Sequence, residues 1–493
     1  MPPFRRHYFS ATRRVSRRIS NLRYADIMKI SRVYLGLLML VLGSLIVIPG
    51  LANHDAQRAG QILVFVMAFI YFMSGSRTHG VFPVLGSTPK LILLGLFGLG
   101  VLSCLLGDTP GWSFVELAVA AASCVLSATL VQARRGDESW FGSATVIFVA
   151  ALVSLKILQY SAALLAAYGA APGQLDTDML LLGFSNKRFY GQFQTMTLPL
   201  LAWPLLTISM RPQWRGLAMA LLCLWWLVAW SGGTRGTWLG MAVAVGVLAL
   251  CGPLARRWVG WQIIGAGVGG GLFWLLISYF PPRLGLDVVN FAGERLNGNL
   301  AGRGPLWEQA WMMIITRPLT GYGPMGFANL PNPTAAHPHQ AILQWGSEWG
   351  IPSLLAVCVL VVWGLGALMV RVQRESATFH PVAAARLCLF AAAVGALTQS
   401  MVDGVIVIPY SQLWLTIIAG CLLTLQPAKP ARSIAAVDVL WRAGSFFAAL
   451  LLVTVAVRDF SNQQTRDAAF FEHQGGHFQP RFWSQGIIAF DSP

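Results

Sequence analysis

The sequence predicts an all-α polytopic membrane protein of about 12–13 transmembrane helices with one large outer loop. Three observations lead there. Of its 493 residues 56% are hydrophobic and 11% charged, whereas soluble domains carry about one quarter charged residues. Apolar runs recur from Val33 almost to the end, and many have the length of about 17–25 residues that crosses roughly 30 Å of hydrocarbon. Basic residues gather in alternate short loops, the pattern that the positive-inside rule imposes on a multi-span chain.

The apolar runs place spans near 33–51, 60–75, 90–107, 113–133, 141–168, 190–209, 214–230, 235–251, 260–281, 341–371, 382–405, 411–425 and 436–457. Residues 1–32 form a basic tail, with Arg5, Arg6, Arg13, Arg14, Arg17, Arg18, Arg23, Lys29 and Arg32 against the one acid Asp26. Such a tail stays in the cytoplasm. Counting spans from it puts Arg134, Arg135, Arg211, Arg215, Arg256, Arg257, Arg371, Arg374, Lys429 and Arg432 inside as well. The basic stretch is too long for a signal peptide and no small-residue cleavage site follows the first apolar run, so that run reads as an anchor. A net charge of +16 could suggest a nucleic-acid partner, but its distribution serves orientation, and membrane lipids are the expected partner instead.

Two outer segments remain, a short loop near 169–189 and a long one at 282–340. The long loop should hold a surface helix that opens with Gly304 as N-cap and Pro305 in first position and runs from Leu306 to Thr316, before Arg317-Pro318 stops it. Spans return over 341–457, and a polar, aromatic tail, 458–493, lies outside with no role that its residues declare. All seven cysteines sit in or beside apolar runs at no metal-ligand spacing, so buried thiols are expected, with neither disulfide nor metal nor other cofactor.

Basic residues on the outer face are the informative ones. Arg188 stands in the crowded run Phe184 to Gln192, which also holds Asn186; Arg235 follows Gly232-Gly233-Thr234; Arg303 stands just before the expected cap of the surface helix. Arg58, Arg283, Arg295 and Arg317 have less telling neighbours. A guanidinium keeps its charge and presents a planar fork matched to phosphate oxygens, so such residues at a membrane rim suit a lipid diphosphate. Snorkelling to lipid headgroups is the ordinary alternative. His339 and His337, just before the span that begins at Ala341, are candidate general bases. Gln340 and Asp403 are candidate supporting residues, Asp403 orienting the base or pairing with an arginine. Lys156 and Asp403 are charges set within apolar runs, where a structural ion pair is the expected arrangement.

His339-Gln340, followed after nine residues by Gly350 and then by Ser353, resembles the signature of the O-antigen ligase and polymerase superfamily, although that signature usually has Gly, Thr or Tyr where Ser353 stands. Arg235 to Leu239 matches the companion pattern of arginine, three residues, leucine, and Phe184 to Gln192 and Arg303 with Trp307 look like further family positions. The resemblance implies a multi-span architecture similar to the GT-C type of membrane glycosyltransferase. It also implies transfer of glycan from undecaprenyl diphosphate, on the periplasmic side of the inner membrane, to a hydroxyl acceptor without metal. For a ligase the acceptor is the lipid A-core. On that reading His339 activates the acceptor, Arg188, Arg235 and Arg303 bind the diphosphate with Asn186 and Gln192 beside them, and the anomeric configuration inverts. An O-antigen polymerase or a protein O-oligosaccharyltransferase would keep this chemistry, and a transporter of lipid-linked oligosaccharide would also want the arginines. A nucleotide-sugar enzyme would need a Rossmann-like domain, and no region of alternating strands and helices is long enough for one.

Overall fold

The structure, a computed structural model, describes residues 28–74, 84–136, 138–207, 211–289, 302–427, 435–460, 462–473, 475 and 477–488. Most of the basic tail, Arg295 of the long loop, and Lys429 and Arg432 lie outside these described residues. In chain order the elements are α1 (Met28–Val47), α2 (His54–Ser74), α3 (Ser87–Leu106), α4 (Pro110–Gly136), α5 (Glu138–Gly169), β1 (Gly173–Asp176), α6 (Lys187–Leu201), α7 (Trp203–Leu206), α8 (Pro212–Gly232), α9 (Arg235–Ala249) and α10 (Pro253–Phe273). They continue with β2 (Leu286–Val289), α11 (Arg303–Thr316), α12 (Ala341–Trp349), α13 (Ile351–Glu375), α14 (Pro381–Ser400), α15 (Pro409–Thr424), α16 (Ala435–Phe460) and α17 (Gln463–His473).

Ten of the described helices are long and apolar enough to cross a membrane: α1–α5, α8, α10, α13, α14 and α16. The protein is thus an all-α polytopic membrane protein, with fewer full-length spans than the sequence suggests. The apolar runs near 190–209, 235–251 and 411–425 become helices of 15, 15 and 16 residues, α6, α9 and α15. Helices of that length reach only about 22–24 Å. Proline and glycine explain the shortening. Pro204 opens α7 directly after α6 ends, and Gly252-Pro253 follows the end of α9. The expected span 341–371 is likewise two helices, broken at Gly350, whose φ of +79° suits glycine and whose Cβ, were there one, would lie 2.4 Å from the Leu319 carbonyl oxygen.

The centre of the bundle is α14, an alanine-rich helix packed against α6 and α9. Small residues permit the close approach. A Cβ on Gly240 of α9 would meet the Gly395 carbonyl oxygen of α14 at 2.6 Å and the Thr195 Cγ2 of α6 at 3.0 Å. Thr237 of α9 donates its hydroxyl to the Gly191 carbonyl of α6 at 2.8 Å, which locks the first turns of these two helices together. Those first turns carry Arg235 and Arg188. At the opposite end of the bundle Arg134 and Arg386 bond the carbonyls of Thr424 and Leu425, and Arg371 reaches Gln426. The cationic end and the candidate site are therefore at different ends.

The outer segments are better tied down than the sequence indicates. β1, from the short loop, pairs in parallel with β2, from the long one, Gly173 opposite Leu286 and Asp176 opposite Val289. Four residues on each side leave no periodicity to detect, so an otherwise all-helical expectation misses this sheet. The surface helix begins with Arg303, two residues before the expected Pro305, because Gly302 takes the left-handed conformation and caps it; the end at Thr316 is as expected. Lys156, expected in an ion pair, instead donates to the carbonyls of Ile46 and Leu182 and to Gln159. The polar tail is not a loose appendage: α17 is followed by a segment, 477–488, that returns to the bundle and buries Arg481, Phe482 and Trp483.

Candidate active site

Four first turns converge around the His337-Pro338-His339 segment. Arg188 is the second residue of α6, Arg235 the first of α9 and Arg303 the first of α11, while His339 lies two residues before α12. Unpaired N–H groups and the helix dipole make each such end attractive to an anion. Asn186 caps α6, its side-chain oxygen accepting the Arg188 N–H at 2.9 Å, and Gln340 caps α12 by accepting from Leu343 N–H at 2.5 Å. Asn186, expected beside the donor, and Gln340, expected to support the base, thus spend their oxygens on helix ends.

The placement of Arg303 follows from helical spacing. Arg303 and Trp307 are four residues apart and share a face of α11. The Trp307 indole N–H donates to the Pro338 carbonyl at 3.1 Å, so docking Trp307 brings the head of α11 beside the histidines. All three arginines are half-buried, and Arg303 lies within electrostatic reach of Asp403, Arg188 and Arg235.

His339 holds a φ of +53°, a left-handed conformation uncommon for a residue with a side chain. Its backbone N–H donates to Nδ1 of His337 at 3.3 Å, and the two rings meet edge to face with centroids 4.1 Å apart. His337 is buried against Gly404, where a Cβ would come within 2.6 Å of the ring. The side chain of His339 is 13% exposed, and its Nδ1 stands 3.9 Å from Oδ1 of Asp403, beyond direct hydrogen-bond length. Burial, with Arg188 and Arg303 nearby, pushes the His339 imidazole down to about 3. Burial also holds His337 well below its ordinary value, with His339 and Arg481 adding to the effect. Both rings are neutral at physiological pH and can accept a proton.

Asp403 completes the group. It is buried on the turn after α14, where Oδ1 accepts its neighbour Gly404 N–H at 2.8 Å and Oδ2 faces the Gln399 amide at 3.4 Å. Desolvation raises its pKa above the usual carboxylate range, opposed by the Gln192 amide and by Arg188 and Arg303. Gln192 Oε1 accepts from Ser411 at 2.6 Å, and its Nε2 faces Asp403 without closing a full hydrogen bond. Gln192 Nε2, Gln399 Oε1 and His339 Nδ1 are buried with hydrogen-bonding capacity unspent among the described residues. Orphaned polar atoms of this kind in one place suit a ligand rich in hydroxyls. Among the described residues no group of three or more His, Cys, Asp or Glu stands together.

His337, His339, Gln192, Asp403, Arg188 and Arg303 therefore lie in one neighbourhood, with Arg235 within electrostatic reach of Arg303, and the arrangement combines neutral imidazoles, a buried carboxylate and three cations. Sequence reasoning set Arg58 aside and gave no role to Glu348 or Arg481; the three form the support behind the histidines. The available signal was the cost of burying Arg58 at the start of an apolar helix, which demands partners. The other residues of the family motif are structural: Gly350 permits the break between α12 and α13, and Ser353 accepts the Trp345 indole N–H at 3.0 Å.

In a comparison with known families, residues 218–358 fit the family model described as O-antigen ligase. The matched stretch contains Arg235, Arg303, His337 and His339 and leaves out Arg188, Gln192 and Asp403. No curated protein matches the chain.

Proposed function

Because the chain belongs to the O-antigen ligase superfamily, we propose that it transfers O-antigen glycan from undecaprenyl diphosphate to a hydroxyl of lipid A-core, on the periplasmic side of a bacterial inner membrane. The observation that carries this reading is the meeting of a half-buried, neutral His339 with Arg188 and Arg303 over Asp403. The donor diphosphate docks at the first turns of α6, α9 and α11, where Arg188, Arg235 and Arg303 match its oxygens. The acceptor hydroxyl oxygen attacks the anomeric carbon from the opposite face while its proton passes to His339. The carbon–oxygen bond to the diphosphate breaks, and undecaprenyl diphosphate departs with the electron pair, stabilised by the guanidinium groups. Attack opposite the leaving group inverts the anomeric configuration. Asp403 steadies the imidazolium as it forms. Guanidinium charge does the work that a divalent cation does elsewhere, so transfer proceeds without metal.

The positive-inside orientation supports the periplasmic assignment, since the basic loops lie at the end of the bundle away from the histidines. The test is to mix purified protein with lipid-linked O-antigen and rough lipopolysaccharide without divalent metal and follow the size of the acceptor. Transfer that survives Ala at both His339 and Arg235 refutes the site. Product found only as longer lipid-linked chains makes the enzyme a polymerase, glycosylated Ser or Thr makes it a protein oligosaccharyltransferase, and passage of intact donor across vesicles without transfer makes the protein a transporter.

A further inference from the structure

The returning tail packs directly behind the histidine segment. Arg481 and Glu348 form an ion pair at 2.7 Å with both side chains 1% exposed, and Glu348 lies on α12, the helix that continues from His339. The second carboxylate oxygen of Glu348 accepts the Phe327 N–H at 3.2 Å. The tail backbone is gripped from the other side by Arg58 of α2, which donates to the carbonyls of Arg481 and Phe482, each at 2.9 Å. The same guanidinium donates to Val407 O at 2.9 Å, in the turn that carries Asp403. Further along, the turn at Gly486 comes against Ala336, and Ile488 N–H donates to Ala328 O at 3.1 Å. One charged side chain, Arg58, thus joins the tail to the Asp403 turn, and a second, Arg481, joins the tail to the histidine helix.

A pair so buried is costly as a source of stability, since desolvation offsets much of its attraction. What it does provide is geometry: a guanidinium fork fixes direction as well as distance. The distance it controls matters, because His339 Nδ1 and Asp403 Oδ1 stand 3.9 Å apart on two different segments. We infer that the segment Gln479–Ile488 is a positioning part of the transferase site, holding His339 against Asp403 through the Arg481–Glu348 pair and the Arg58 clasp. The inference rests on the base assignment given above. Arg481 does not touch the reacting atoms; it acts through α12.

The test compares wild type with the double substitution Glu348→Gln and Arg481→Met. This leaves no buried charge unpaired, and Gln retains an acceptor for Phe327 N–H, so folding and melting temperature stay close to wild type. The diphosphate-binding arginines lie on α6, α9 and α11, outside the tail's grip. The double variant is expected to lose about a hundredfold in kcat, the scale of an ångström-level misplacement, with donor KM within about twofold of wild type. Arg481→Lys, which keeps the charge and loses the fork, should recover only part of kcat, and serves as the deciding variant if the double one does not fold. Wild-type kcat in a folded variant, or a donor KM that rises while kcat holds, overturns the inference. His339→Ala is assayed alongside: if it remains active, the base assignment has failed, whereas an inactive His339→Ala beside fully active tail variants sinks the tail's role alone.

Discussion

Replacing Asp403 by Asn should make the protein slower and more stable at once. When His339 takes up a proton, the imidazolium forms 3.9 Å from the Asp403 carboxylate, with side chains 13% and 6% exposed. A full pair of charges at that distance interacts by about 4 kcal/mol at an effective dielectric of about 20. With the proton half transferred the share is about 2 kcal/mol, which corresponds to a roughly 30-fold loss of rate. The Asn variant retains an oxygen for Gly404 N–H, so the local turn is kept. Its effect on stability has the opposite sign. The folded state holds Asp403 above its ordinary value, so the folded protein binds more protons than the unfolded one, and stability contributed by this group is lost as pH rises through the folded value. Removing the carboxyl relieves that cost at neutral pH. The assay is single-turnover transfer from lipid-linked donor to rough lipopolysaccharide in detergent, beside a thermal melt at the same pH. A variant within twofold of wild-type rate, or one that melts below wild type with unaltered activity, would refute the reasoning.

His339→Ala should lower transfer by about 10²–10⁴-fold, the usual worth of a positioned base, and His337→Ala by less, since His337 acts by receiving the His339 N–H; quantitative acceptor-shift gels separate the two. Arg303→Gln removes one of the cations that press His339 down to about 3, so the acid limb of the kcat/KM profile should move to higher pH, read from rates between about pH 3 and about 6. Gly404→Ala would push into the His337 ring at 2.6 Å and should cost about 1–3 kcal/mol in stability together with most of the activity. Acidification should destabilise the fold through the two histidines: both are depressed when folded, so their contribution is complete above the unfolded value and fades as pH falls below about 6.5, by up to about 1.4 kcal/mol per pH unit for each. Chemical-denaturation midpoints measured from pH 7 to 5 check this.

The membrane class and the order of helices are legible in the sequence because a span is a local property: some twenty apolar residues between polar ends announce themselves without reference to anything else. What is not legible is how the helices lie against one another. The apolar run near 341–371 reads as one span, and only the contact between Gly350 and the Leu319 carbonyl explains why it breaks. β1 and β2 are four residues each, over 100 positions apart in the chain, and neither has a pattern until the other is beside it.

The site divides along the same line. Arg188, Arg235, Arg303 and His339 stand out because a cation or an imidazole at a membrane rim is unusual whatever surrounds it. Arg481 and Glu348 do not, since each is an ordinary polar residue until the fold buries both and pairs them. A sequence therefore exposes the groups that face a substrate more readily than the groups that aim them. The arginines on α6 and α9 need little aiming, because α14 and its small-residue contacts set those helices. The histidine segment has no such helix beneath it, and with a positive φ at His339 it depends on neighbours from Trp307, Gly404 and the returning tail. That dependence explains how a stretch as reticent in sequence as 477–488 comes to be buried at the heart of the outer face.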